Sequence, residues 1–201
     1  MGWQDLVPVV SYLILKGKCR YCRSPIPYRN LVVEVFLGVS FGLVAQLHSL
    51  PVAQLILMGI LWVTTIIAVM DWETRLVSEL MVVLWGAMVI AHQFSNNFQS
   101  NLIGSIVGAG VIGGIWAVTK GKAMGFGDVE IAAVMGGWLG WPVVAPALWI
   151  AFVAGAVVGG GLLVAGRKKM TSQIAFGPFL IIGAWAAYLW GDMLWTWVFP
   201  Y

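Results

Sequence analysis

Long apolar runs separated by short polar segments dominate the sequence. They cover roughly residues 31–47, 52–70, 80–94, 102–119, 143–165 and 176–190, with the last run open to extension as far as 198. Each run is close to the roughly 20 residues that a helix needs to cross a bilayer. A further apolar segment, about 128–139, is shorter and glycine-rich, which predicts a tightly packed, tilted or broken helix. The pattern predicts an all-α integral membrane protein, a polytopic bundle of about seven transmembrane helices.

The composition supports the same class. Hydrophobic residues make up 61% of the 201-residue chain, charged residues only 9%, and the mean hydropathy is +0.92. A soluble domain carries about 25% charged residues, so the lipid bilayer is the first predicted partner. The eleven Lys and Arg residues form no continuous basic face, which argues against nucleic-acid binding. Four C-terminal Trp residues predict an interfacial anchor: Trp185, Trp190, Trp195 and Trp197.

The positive charges predict the orientation of the chain. Residues 1–29 form a basic, proline-interrupted stretch with a single Cys-x-x-Cys, interpreted as a small cytoplasmic loop before a transmembrane domain over 30–201. With a cytoplasmic N-terminus, alternating spans place 71–79, 120–127 and 166–175 on the same side. These three segments and the N-terminal loop hold all eleven Lys and Arg residues, as the positive-inside rule expects.

Two aspartates fall at the cytoplasmic ends of apolar runs in this topology. Asp71 ends the second run, and Asp128 opens the short glycine-rich segment after Gly125-Phe126-Gly127. A carboxylate beside apolar surface is costly to desolvate, so it usually has a partner or a task. We hypothesise that the two side chains meet at the membrane face and hydrolyse a peptide bond by general acid–base chemistry. The two glycines would let a substrate backbone approach.

Each aspartate also has a purely structural interpretation. Asp128 is suited to cap a helix that begins at Val129, a role compatible with catalysis. Asp71 is spaced to pair with Arg75, four residues further on. Both interpretations remain open at the level of sequence.

The remaining carboxylates near this motif add negative charge. Glu130, Glu73 and Glu79 are expected to attract a basic partner over a Debye length of about 8–10 Å. Glu34, just inside the first apolar run, is expected to pair with an arginine of the N-terminal loop. Direct contact with a substrate is the alternative for Glu34.

Cys19 and Cys22 form the Cys-x-x-Cys motif. A structural zinc site needs four ligands, and the remaining nitrogen candidates, His48 and His92, fall on or near the opposite membrane face. A cytoplasmic position disfavours a lasting disulfide. We therefore expect two thiols without a metal, with a zinc ion shared with another subunit or segment as the alternative.

Taken in order, these motifs resemble the prepilin peptidase (type IV leader peptidase) family, the bacterial Gly-x-Gly-Asp membrane aspartyl proteases. The resemblance runs from about Val9 to Gly183. It rests on four segments: the cysteine loop over 18–29 followed by Val33-Glu34, Met70-Asp71 opening a polar loop, the run from Gly125 to Trp141, and Ala175-Phe176-Gly177-Pro178-Phe179.

The resemblance implies a catalytic pair made of Asp71 and Asp128, which match the family's motif aspartates. It implies a multi-pass protein of the bacterial inner membrane that removes the basic leader of type IV prepilins, or of pilin-like precursors in type II secretion and competence, on the cytoplasmic side. Proteolysis would need no cofactor. Many members also methylate the new N-terminus with S-adenosylmethionine, so that activity is a second expectation.

Three features depart from the family pattern. The family usually carries a further span and a first Cys-x-x-Cys before the basic loop, and neither occurs in this sequence. The Leu-Pro-Asp after the first aspartate reads Val77-Ser78-Glu79, and a common Lys two residues after the second aspartate is Glu130. The last two changes lie beside the predicted pair, so they bear on substrate preference and pH behaviour.

Two other classes compete with an active peptidase. One is a peptidase-fold protein with impaired activity. The other is a proton- or cation-coupled transporter, in which membrane carboxylates relay protons or bind ions. A transporter predicts carboxylates near mid-span and an inverted repeat, and the sequence shows neither.

Overall fold

The computed structural model describes residues 7, 9–47, 51–92, 97–165 and 175–198. These residues fall into two compact units, residues up to Trp62 and residues from Val63 onwards, and each unit is described by itself. Apart from one isolated bridge between Lys18 and Pro25, the regular structure of the described residues is helical. The predicted all-helical class is therefore confirmed.

The described residues contain eight helices. They are α1 (Val10–Ile14), α2 (Tyr28–Leu47), α3 (Pro51–Thr74), α4 (Glu79–His92), α5 (Phe98–Thr119), α6 (Phe126–Leu139), α7 (Val144–Val164) and α8 (Gly177–Val198). The first unit holds α1, α2 and the start of α3, and the second holds the rest.

Four of these helices are long and apolar enough to cross a membrane, namely α2, α3, α5 and α7. Two further apolar stretches, Glu79–His92 and Gly177–Gly191, are shorter. An integral membrane protein is thus confirmed at the level of four spanning helices. The predicted count of about seven depends on the shorter helices as well, and it stays a prediction.

The helix ends nearest the two aspartates differ from the predicted ones. Helix α3 continues to Thr74, so Asp71 lies inside its last turn and not beyond its end. Arg75 then takes a left-handed backbone conformation, with φ of 56°, and its N–H donates to the Asp71 carbonyl oxygen at 2.9 Å. Helix α6 begins at Phe126, two residues before Asp128. The extended backbone of Gly125 marks this start.

Some predictions lie outside the described residues. They concern His48, the basic segment over 166–174, and the side chain of Trp197.

Close backbone approach holds α5 against α6 in the second unit. A Cβ atom at Gly104 would collide with the carbonyl oxygen of Gly136, and one at Gly108 with that of Ala132. In lipid, where helices gain no hydrophobic free energy from meeting each other, small residues permit the close packing that joins them. Gly104 and Gly108 of α5 therefore lie in the interface with α6. This interface fixes the position of the helix that carries Asp128.

An aromatic cluster fills the second unit between α4, α6 and α8. Trp138 stacks on Tyr188 with ring centroids 4.7 Å apart and meets Trp185 edge-on at 4.9 Å and Trp85 edge-on at 6.1 Å. Trp185 also donates a hydrogen bond to the Thr64 hydroxyl at 3.1 Å. The Trp185 ring packs between helices and its N–H is satisfied there, so this residue also has a packing role.

Substituting Gly108 by alanine tests the α5–α6 interface. The new methyl group would meet the Ala132 carbonyl oxygen, and a backbone atom cannot swing aside. We expect a loss of about 1–3 kcal/mol, typical of overpacking, seen as a lower thermal midpoint of the detergent-purified protein. Gly110→Ala is the matched control, since open space surrounds that position in the same helix. Equal midpoints for the two variants would contradict this packing.

Candidate active site

A cavity of about 350 Å³ opens in the second unit where the end of α3, the start of α6 and the segment before α8 converge. Residues singled out in the sequence line it, including Asp71, Gly125, Gly127, Asp128 and Glu130. Three segments separated by more than 40 residues in sequence thus supply one site. The two aspartates are both buried, at 4% and 7% exposure, and the charge of Asp71 acts on Asp128.

Asp71 is held by the backbone of another helix. Its Oδ2 accepts a hydrogen bond from the Gly177 N–H, at the first residue of α8, at 3.0 Å. The predicted alternative, an ion pair with Arg75, is not formed among the described residues. Arg75 bonds to Asp71 through backbone atoms only, and its exposed side chain lines the same cavity.

Asp128 occupies the third position of α6 and does not cap it, so the predicted N-cap is wrong. The cap residue is Gly125, whose N–H donates to Asp128 Oδ2 at 3.1 Å. This is the reciprocal half of a capping box, in which an acidic side chain in the first turn reaches back to the cap. The other carboxylate oxygen, Oδ1, is buried and has no hydrogen-bond partner among the described residues.

The two carboxylates are therefore held in the same way. Each accepts a glycine N–H at the start of a helix through Oδ2, and for each the described residues offer no donor to Oδ1. Helix N-termini carry partial positive charge and stabilise carboxylates. Two close buried carboxylates favour a state with one protonated and one ionised member. The arrangement leaves one oxygen of each carboxylate for chemistry.

The two glycines before Asp128 differ in their surroundings. A Cβ atom at Gly127 would lie 2.6 Å from Cβ of Val77, so the loop after α3 packs directly on this glycine. A Cβ atom at Gly125 would meet only Asp128 Oδ2, at 3.8 Å. Room for a substrate backbone therefore lies at Gly125, whereas Gly127 is a packing position.

Charged groups of both signs line the cavity. Glu130 and Glu79 contribute carboxylates and Arg75 a guanidinium group, while Glu73 is not among the lining residues. Of the three glutamates expected near a basic partner, two are thus placed at the cavity.

Several lining residues were not singled out from sequence. They include Leu76 and Met124. From sequence, Gly177 was named only within the segment Ala175 to Phe179, and its N–H donates to Asp71 Oδ2 in the structure. A glycine directly before a proline at a helix start was the available signal, but it does not reveal which carboxylate the N–H will meet.

The other predicted site residues lie in the first unit. Glu34 and Cys19 line a separate cavity of about 520 Å³. Glu34 Oε2 accepts the Val9 N–H at 2.8 Å, so its described partner is a backbone amide and not an arginine. Cys19 and Cys22 are both free thiols. The described residues contain no group of three or more His, Cys, Asp or Glu side chains that could hold a metal ion.

Comparison with known proteins agrees with this site. Residues 56–160 match the model of the type IV leader peptidase family, and residues 1–48 match the bacterial peptidase A24 N-terminal domain. The first match includes both Asp71 and Asp128, and the second includes the cysteine loop and Glu34.

Curated relatives are similar along nearly the whole chain. A protein of Pseudomonas putida named prepilin leader peptidase/N-methyltransferase is 32% identical over 206 residues, which cover 97% of this chain and 70% of the relative. A protein of the same name from Aeromonas hydrophila is 30% identical over 208 residues, covering 95% and 68%. No solved structure is significantly similar to the chain. With the family model matching more than half of its residues, the chain belongs to the type IV leader peptidase family.

Proposed function

We propose that this protein is a membrane aspartic endopeptidase that removes the basic leader from type IV prepilins or from pilin-like precursors of type II secretion and competence. The observation that carries the proposal is the pair of buried aspartates, Asp71 and Asp128, that share one cavity. Membership of the family and the printed names of the relatives supply the substrate class. They also favour a peptidase over a transporter.

The chemistry follows from the two carboxylates. A water molecule between Asp71 and Asp128 gives a proton to the ionised member and attacks the scissile carbonyl carbon. The protonated member donates its proton to the carbonyl oxygen. Collapse of the tetrahedral intermediate breaks the C–N bond, and the leaving amine takes up a proton. The hydrogen bonds from Gly125 and Gly177 keep both carboxylates oriented through these proton transfers.

The substrate must unwind where it is cut. A pilin precursor carries a basic leader followed by a long apolar helix, and helical carbonyls are already hydrogen-bonded. The open space at Gly125 suits a locally extended backbone. Glu130 and Glu79 at the cavity suit a basic leader.

For the topology, we propose about seven membrane crossings with a cytoplasmic N-terminus and a cavity that faces the cytoplasm of a bacterial cell. The distribution of the eleven Lys and Arg residues supports this orientation. The basic loop over 1–29 would then precede a peptidase domain over 30–201.

N-methylation of the newly formed N-terminus is a second candidate activity. The relatives' names include it, and residues 1–48 match the family's N-terminal domain. S-adenosylmethionine would be the methyl donor. Transfer of labelled methyl groups from S-adenosylmethionine to a cleaved prepilin tests this activity separately from leader removal.

Zinc does not fit the described cysteine loop, because the two thiols find no third ligand there. We propose that Cys22 is a reactive thiol. The Ser24 hydroxyl lies 3.0 Å from its sulfur, and this hydrogen bond, with help from the Ser24 backbone, lowers the pKa of Cys22 from 9.0 to about 7. The thiolate therefore forms as the pH rises through about 7.

Replacing either aspartate by asparagine tests the catalytic pair. Asp71→Asn and Asp128→Asn should each lower leader cleavage by roughly 10²–10⁴-fold, since neither the base nor the acid step can proceed without its carboxylate. Purified variants are incubated with a prepilin in detergent, and leader loss is followed by mass spectrometry. Glu73→Gln, which removes an exposed carboxylate outside the cavity, is the control. Normal turnover in either asparagine variant would refute the assignment of Asp71 and Asp128 as the catalytic pair.

Neutralising Glu130 tests the electrostatic attraction of the leader. Glu130→Gln should raise KM for a basic leader by roughly two- to fivefold at low ionic strength, the size expected for one screened ion pair. The effect should fade at high salt. A precursor with an uncharged leader, and Glu73→Gln on the normal precursor, serve as controls. An equal rise in KM at high salt would refute this role.

Removing the Ser24 hydroxyl tests the origin of the reactive thiol. Ser24→Ala should raise the pKa of Cys22, so iodoacetamide should modify Cys22 several times more slowly at pH 7, with the difference shrinking above pH 9. Peptide mass spectrometry resolves Cys22 from Cys19. Ser11→Ala, in the same unit and without a bond to Cys22, should leave the pH midpoint unchanged. The same midpoint in both variants would show that Ser24 has no effect.

A further inference from the structure

In the first turn of α8, one backbone N–H has no acceptor within its own helix. The Phe176 carbonyl oxygen already accepts the N–H groups of Phe179 at 3.0 Å and Leu180 at 3.2 Å, and Pro178 has no N–H. That leaves the N–H of Gly177, one of the groups that a helix start cannot satisfy internally. It donates to Asp71 Oδ2, 106 residues away in sequence.

Glycine is the residue that permits this bond. A Cβ atom at position 177 would lie 2.8 Å from Asp71 Oδ2 and 3.2 Å from Ile131 Cδ1. The first distance is shorter than real Cβ contacts, so any side chain would push the carboxylate away. The requirement is steric, because the backbone of Gly177 is not in the left-handed region.

Helix α7 holds this turn in place without contributing a residue to the cavity. The Phe176 ring packs against Phe152 of α7, with centroids 5.3 Å apart, and against Phe179 at 6.2 Å. Gly155 of α7 leaves the space for it, since a Cβ atom there would lie 3.1 Å from the Phe176 ring. The aromatic contact therefore fixes the turn from which the Gly177 N–H projects.

We propose that the first turn of α8 is a positioning element for the dyad, in which Gly177 holds Asp71 Oδ2 so that Oδ1 is left for water and the scissile bond. The proposal rests on the proposed peptidase function. Gly177 touches no substrate; it acts through Asp71. Its loss should therefore lower kcat and leave KM nearly unchanged.

Gly177→Ala in the full-length protein is the test. The new methyl group should displace the Asp71 carboxylate by up to about 1 Å and so lower kcat by roughly 10- to 100-fold. KM should stay within about twofold of wild type. The double variant Gly177→Ala/Ile131→Val removes the Ile131 Cδ1 contact while keeping the clash with Asp71. We expect no recovery of kcat. Recovery would show that Gly177 only makes room for Ile131, and would overturn the proposal.

Gly183→Ala is the matched control for damage to the fold. Its Cβ atom would collide with the Ala147 carbonyl oxygen, at the same α7–α8 interface but away from Asp71. This variant should lower the thermal midpoint while the kcat of the folded fraction stays at the wild-type value. A loss of kcat equal to that of Gly177→Ala would overturn the positioning role.

A second readout does not depend on turnover. Carbodiimide labelling of Asp71, measured by peptide mass spectrometry on folded protein, should proceed several times faster in Gly177→Ala and in the double variant than in wild type or Gly183→Ala. Unchanged labelling overturns the proposal. A wild type that removes no leader counts against the peptidase function, and the labelling result alone then decides the role of Gly177.

Discussion

The burial of two carboxylates in an apolar helical protein is the constraint on which the rest of the site depends. Such groups cost free energy unless hydrogen bonds replace the lost water. Asp71 and Asp128 each obtain one bond from a glycine N–H at a helix start, where donors are left over by the helix itself. Among the described residues no cationic side chain pairs with either carboxylate, and one oxygen of each is left without a donor.

Because both donors are backbone N–H groups at helix starts, helix packing must position them accurately. The start of α6 is fixed by α5, through the close approach of Gly104 to Gly136 and of Gly108 to Ala132. The start of α8 is fixed by α7, through the Phe176 ring that packs against Phe152 and lies over Gly155. Small residues remote from the cavity thus determine where two backbone donors lie. The small size of these residues, which lets the helices approach closely, is required for the chemistry as well as for the fold.

The all-helical membrane class could be predicted from the sequence because it follows from local quantities. The lengths of apolar runs, the positions of Lys and Arg, and the helix-breaking residues predicted an all-helical membrane protein and placed Asp71 and Asp128 on one face. The structure brings them to one cavity. Length alone does not identify a short helix such as α4 as a span, because its 14 residues are fewer than the roughly 20 that cross a bilayer.

By itself the sequence identified the candidate chemical groups: the carboxylates, the two thiols and the glycines around Asp128. Only the tertiary structure decided their partners. In the part of the chain that the structure describes, Asp71 accepts a hydrogen bond from Gly177 and forms no ion pair with Arg75, and Glu34 accepts one from the Val9 amide. Val77 occupies the space beside Gly127. The physical reason is that every residue except proline carries the same backbone N–H donor, and that the space around a residue depends on its neighbours in the fold. Which of them reaches a given side chain depends on how helices pack, and no local pattern encodes it.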